Sequence, residues 1–265
     1  MNRRVLLAAA LGLCALMDAA AGSAQADWVR VPGGPFRSAL KYEDGGGKVG
    51  LLPFAMMQRP VTNAQFLGFV TAHRAWQRGQ VASVFAEARY LQQWPTPLQL
   101  GASAKPDQPV VDVSWFAAQA YCESQGARLP TWNEWEYVAA ADATRRDARS
   151  DPAWRERILG WYSRPSTTAL PAVGQTPANA YGVQDMHGLI WEWTDDYASM
   201  LVSADGRDQK NQDRLKFCGA GSLAMDDVEN YAVLMRVAML SSLEGANVTS
   251  NLGFRCAKPL PGKTP

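Results

Sequence analysis

The chain has 265 residues, with 26 basic against 25 acidic side chains and no sustained run of either sign. Nothing in that balance points towards nucleic acid or anionic lipid as a partner. Its 47% apolar content suffices for a core, and ten Trp, 22 Gly and 16 Pro favour a compact, loop-rich fold pinned by aromatic anchors over long parallel strands or a helical bundle.

Arg3 and Arg4 precede an apolar run from Val5 to Met17, and Ala24-Gln25-Ala26 stands just before Asp27. This is the order of a secretory signal, so residues 1–26 are expected to be removed and residues 27–265 to form one domain in the periplasm. The apolar run is shorter than the roughly 20 residues that a membrane span needs. No internal repeat or linker divides the 27–265 domain.

Trp28 to Phe36 alternates and then turns, as an opening strand and loop do. Residues 41–47 form a polar, glycine-rich loop. Thr62 with Gln65 is a capping-box pair before Phe66, Phe69 and Val70, so a helix starts there. A second helical stretch is expected over 81–91, followed by proline-punctuated irregular chain over 94–109. Ser114 caps a helix that carries Trp115, Ala118, Tyr121 and Cys122 on one face and ends at Gly126. Thr131 and Glu134 form a second capping box, opening a helix through Trp135, Val138 and Ala139. Residues 144–157 mix both signs and read as a solvated helix pair, with Asp151-Pro152 as a cap and first-turn proline. The next helical period comes at 231–239. With Cys14 in the signal, Cys122, Cys218 and Cys256 remain, an odd number whose spacing does not choose a pair.

Five segments occur in the order they take in the formylglycine-generating enzyme (sulfatase-modifying factor) family. They are Pro60-Val61-Thr62-Asn63-Ala64-Gln65-Phe66; Pro109-Val110-Val111-Asp112-Val113-Ser114-Trp115 with Ala120-Tyr121-Cys122; and Arg128-Leu129-Pro130-Thr131 with Glu134-Trp135-Glu136-Tyr137. Asn179 to Gly188 then runs into Trp191-Glu192-Trp193, and Gly219-Ala220-Gly221-Ser222 leads to Asn251-Leu252-Gly253-Phe254-Arg255-Cys256. The chain thus resembles that family over nearly its whole length after the signal. The resemblance implies an α+β, loop-rich, C-type-lectin-related fold. The carboxylates in the aromatic blocks need internal partners, for which Arg128 and Arg255 are the candidates.

The resemblance also implies a disulfide between Cys122 and Cys256. It further implies a Ca²⁺ site on the turn from Asp185 to Glu192, with side-chain oxygens from Asp185 and Glu192 and carbonyls from Gly188 and Ile190, a donor set of hard oxygens. The family's oxidase chemistry rests on two Cu(I)-binding cysteines after the glycine motif. In register, one of those positions falls at Ala232 and the other near Met225 to Asp227, so formylglycine formation is not expected. The iron-dependent ergothioneine-type branch needs three histidines, and this chain has His73 and His187 alone.

Two branches without the cysteine pair remain. One is PvdO-like and acts in siderophore maturation as an oxidoreductase. The other is NirV-type, exported and encoded beside copper nitrite reductases. Val113 to Cys122 and Glu229 to Arg236 resemble the second, which implies an accessory or maturation role toward a periplasmic protein of the copper nitrite reductase type. Trp191 and Ser222 are the cleft residues carried over, and Tyr231 is a candidate to supply a phenol in the same place. Cys218, Met225, Met235 and Met239 are soft side chains gathered around the altered segment, a candidate set for Cu(I).

Overall fold

The computed structural model describes residues 26–40, 48–163, 169–198 and 231–260. Residues 1–25 of the expected signal segment, the glycine-rich loop at 41–47, and Cys218, Ser222 and Met225 lie outside the described residues.

The first strands bracket the N-terminal region. β1 (Trp28–Val31) pairs antiparallel with β4 (Phe54–Met57), matching Trp28 with Met57 and Val31 with Phe54. Between them, β2 (Gly34–Arg37) and β3 (Lys48–Leu51) form a separate two-stranded ladder. Gly33, at φ +70, makes the turn, and a Cβ there would sit 2.3 Å from the Leu51 carbonyl oxygen. β4 is the central strand of a three-stranded sheet, since β7 (Ala257–Pro259) joins its other edge. All four residues of β4 are buried, which is why it reads as an unbroken apolar run and not as an alternation.

Three helices follow the capping signals. Thr62 caps α1 (Asn63–Ala72) in a reciprocal box with Gln65, Ser114 caps α2 (Trp115–Ser124), and Thr131 with Glu134 boxes α3 (Trp132–Ala139). Each hydroxyl accepts from an N–H that the first helical turn leaves free, which is how a short helix starts at a defined residue. Beyond α2, Gly126 adopts φ +63, a left-handed turn that returns the Ala127 N–H to the Cys122 carbonyl. Phe66, Trp94, Tyr121, Trp132, Trp193 and Phe254 form the larger core; Val31, Met56, Trp135, Val183 and Ala257 belong to a second. Cys122 and Cys256 are joined by a disulfide within the larger one, closing a sequence separation of 134 residues.

Two expected elements differ. Residues 81–91 form turns, not a helix: the Glu87 N–H donates to the Ala246 carbonyl, the Leu91 N–H to the Asp112 carbonyl, and Leu91 itself is left-handed at φ +49. Long-range partners there take the N–H groups that a helix needs internally. Residues 144–157 contain one helix, not two. Asp142 and Asp151 bind Arg145 in a loop, and α4 (Pro152–Tyr162) begins at the Asp151 cap with proline in its first turn. α4 also runs past 157, because Trp154 and Ile158 turn inward onto Ala148. The last helix, α5 (Tyr231–Ser241), leads to β6 (Leu252–Gly253). Among the described residues, no helix is long and apolar enough to cross a membrane.

Candidate functional site

β5 (Trp191–Glu192) is a two-residue parallel partner of β6. The Trp191 N–H donates to the Asn251 carbonyl at 2.8 Å and the Trp193 N–H to the Gly253 carbonyl at 2.9 Å. Gly253 is required by this approach: a Cβ there would lie 2.3 Å from the Val110 carbonyl oxygen. Within this segment Glu192 and Trp193 are enclosed, while Trp191 stays half-buried.

Glu192 is the hub. Arg255 grips it with two charge-assisted bonds, Nε to Oε2 and Nη2 to Oε1, each 2.8 Å, with both side chains fully buried. The Trp135 indole N–H adds a third bond at 3.0 Å. The remaining Arg255 donors reach the carbonyls of Met57, Gln58 and Gln184. One guanidinium therefore ties the end of β4, the 184–185 turn and β5 together. The other expected pair also forms, Arg128 to Glu134 at 2.7 Å through both nitrogens, and there the carboxylate doubles as the capping residue of α3.

A second buried cation lies beside the hub. Arg236 of α5 rests its guanidinium 3.5 Å above the Trp135 ring, and its Nη2 donates 2.6 Å to the Glu192 carbonyl oxygen. Its Nε has no partner among the described residues. Burial pulls its pKa down to about 10, against the opposing pull of Glu192 and Tyr162. Tyr162, whose phenol burial pushes upward, and Trp161 pack against Trp191 with ring centres 5.1 and 5.8 Å away. The end of α4 thus supplies an aromatic wall to the Trp191 segment.

Asp185 occupies a left-handed position at φ +59 and is buried. Its oxygens accept from the Gly174 N–H and, at 2.7 Å, from the Thr176 hydroxyl. Both Glu192 oxygens are committed to Arg255 and Trp135, and a Ca²⁺ bound there would face a buried guanidinium. Among the described residues no three of His, Cys, Asp and Glu cluster as metal ligands.

Of the soft set, Met235 is 40% exposed on α5 and Met239, one turn on, packs against the larger core. Cys218 and Met225, the other two members of that set, lie outside the described residues. Tyr231 is the first residue of α5. The sequence places Arg236 in a family-like segment but gives no sign that it is buried, and the Trp161-Tyr162 doublet ends a stretch dominated by charge, where two adjacent aromatics are the one signal of packing.

A capped α+β frame with short ladders, a disulfide closing it, and an Arg-clamped Trp-Glu-Trp turn define a protein of the formylglycine-generating enzyme fold. The chain belongs to the sulfatase-modifying factor family: the model of the "sulfatase-modifying factor enzyme 1-like domain" matches residues 14–260. It is 30% identical over 279 residues to the formylglycine-generating enzyme of Streptomyces coelicolor, covering 86% of this chain and 88% of that one. It is 28% identical to the inactive C-alpha-formylglycine-generating enzyme 2 of Bos taurus, covering 86% and 87%. The fold is also that of PvdO from Pseudomonas aeruginosa, with a TM-score of 0.50, 19% identity, and coverage of 88% of this chain and 94% of the other.

Proposed function

We propose that this chain is an exported member of the family that does not make formylglycine and serves as an accessory or maturation factor for a periplasmic protein of the copper nitrite reductase type. The observation that carries the first half is a count of thiols. The sequence has four cysteines, of which Cys122 and Cys256 are bonded to each other. Cys14 lies in the segment expected to be removed, which leaves Cys218. A Cu(I) site of the family's kind needs two thiolates, and one thiol does not supply it. Similarity to a relative named as inactive fits the same reading. The partner assignment rests on the resemblance of Val113 to Cys122 and Glu229 to Arg236 to the NirV-type branch.

Two measurements test the halves separately. The mature protein is incubated with Cu(I), oxygen and a sulfatase-type peptide containing the target cysteine, and the peptide is weighed by mass spectrometry. No conversion is expected; formylglycine in the product overturns the first half. For the second, copper occupancy and activity of a periplasmic copper nitrite reductase in the same cell are measured with the gene deleted and restored. A drop that the intact gene repairs is expected. Full copper loading in the deletion strain removes the partner.

A further inference from the structure

A cleft of about 610 Å³ opens between α4 and the 185–188 turn, with Glu192 itself not in its lining. Its size falls within the roughly 300–1,000 Å³ usual for small-molecule sites. Trp154, Arg157, Trp161, Thr144 and His187 are among its walls. We propose that this cleft is a binding site for a small planar aromatic carboxylate.

Three donor groups in its lining lack acceptors. The indole N–H groups of Trp154 and Trp161 make no hydrogen bond among the described residues, and Arg157 makes neither a hydrogen bond nor an ion pair there. Trp154 is 7% exposed, and its N–H is not among the enclosed polar atoms left without a partner, so it opens to the cleft, where a ligand oxygen can replace water. The carboxylates that also line the cleft are already engaged. Asp142 accepts from Arg145 and Thr144, and Asp185 accepts from Gly174 and Thr176. Among the described residues that line the cleft, the acceptor left without a partner is His187 Nδ1, which is enclosed and faces no solvent, so the groups open to the cleft are mainly donors, which selects a ligand that brings acceptor oxygens. A guanidinium takes a carboxylate through two parallel bonds.

The walls define the rest of the ligand. Trp161, only partly buried, offers an indole on which a planar ring stacks, while Trp154 is packed inward on Ala148 and Ile158. Gly188, at φ +94, has no side chain between its backbone and Trp161; a Cβ there would meet the indole Cδ1 at 3.6 Å. His187 presents an uncharged edge, because its Nε2 lies 2.9 Å from the Ala139 carbonyl oxygen, which only accepts, so the proton sits on Nε2. Trp154 meets that imidazole edge-to-face at 5.7 Å, which holds the wall in place.

The test uses the disulfide-intact mature protein and 4-hydroxybenzoate, with 4-hydroxybenzamide as the neutral isostere, in isothermal titration calorimetry. Saturable one-to-one binding of the acid is expected, with no saturable binding of the amide. Arg157 is exposed, so Arg157→Gln is expected to keep the melting temperature and weaken binding about ten-fold or more. Trp161→Leu is expected to weaken it as well. No saturable heat from the acid, equal binding of acid and amide, or unchanged affinity in a folded Arg157→Gln protein each overturns the assignment.

Discussion

Replacing Glu192 with Gln removes one charge from an ion pair that has no access to solvent. The amide keeps the shape and one acceptor oxygen, but its NH₂ then faces either the Arg255 guanidinium or the Trp135 indole N–H, donor against donor. Arg255 retains its bonds to the Met57, Gln58 and Gln184 carbonyls, so its charge stays buried without a counter-charge. Breaking a buried pair by removing one partner costs about 3–5 kcal/mol. For a chain of this size, each kcal/mol moves Tm by roughly 2–4 °C, so Glu192→Gln should lower Tm by about 6–20 °C. Arg255→Met should cost at least as much, because it strands the carboxylate and three carbonyls together. The double variant should cost less than the sum of the two, with a coupling above about 1 kcal/mol. Urea unfolding of the oxidised protein, followed by tryptophan fluorescence, measures all three. A Glu192→Gln loss below about 1 kcal/mol, or strict additivity, would refute the view that this pair holds β4, the 184–185 turn and β5 together.

Removing the Cys122–Cys256 bridge by paired Ser substitutions should destabilise by about 2–5 kcal/mol in urea, given a separation of 134 residues; an unchanged midpoint would show that the core alone closes that loop. His187 gives a pH dependence. Burial lowers its pKa to about 4, with Arg236 and Arg157 acting in the same direction and the Ala139 carbonyl and Glu192 opposing. Between the unfolded value near 6.5 and the folded value, the unfolded chain binds a proton that the folded one does not, so stability falls as pH drops through that window, by about 1–3 kcal/mol. Unfolding curves of wild type and His187→Gln at stepped pH should diverge in slope there; parallel curves would rule His187 out as the source. Adding about 1 mM Ca²⁺ or a chelator should leave Tm unchanged, and a rise of several degrees with Ca²⁺ would show that Glu192 exchanges Arg255 for an ion.

Local signals were legible wherever a few adjacent residues settle the matter. Thr62 with Gln65 and Thr131 with Glu134 start helices at the residues their side chains cap, since capping needs nothing beyond a turn of chain. The need of Glu134 and Glu192 for partners was equally readable, and so were Arg128 and Arg255 as the groups to meet it. The thiol count that restricts copper chemistry is shared: the sequence holds four cysteines, and the fold bonds Cys122 to Cys256 and takes both out of play.

Other outcomes depended on distant chain. Residues 81–91 carry helical composition, yet their N–H groups go to the carbonyls of Asp112 and Ala246, and no local pattern foretells such bonds. A carboxylate on the Asp185–Glu192 turn reads the same whether it faces calcium or arginine; Arg255, 63 residues further on, takes both oxygens of Glu192. The cleft beside Trp161 likewise exists only because α4 folds back over the turn at Gly188. Charge, caps and cysteines act through the residues that carry them, whereas a partner or a cavity is made by segments that meet only after the chain has folded.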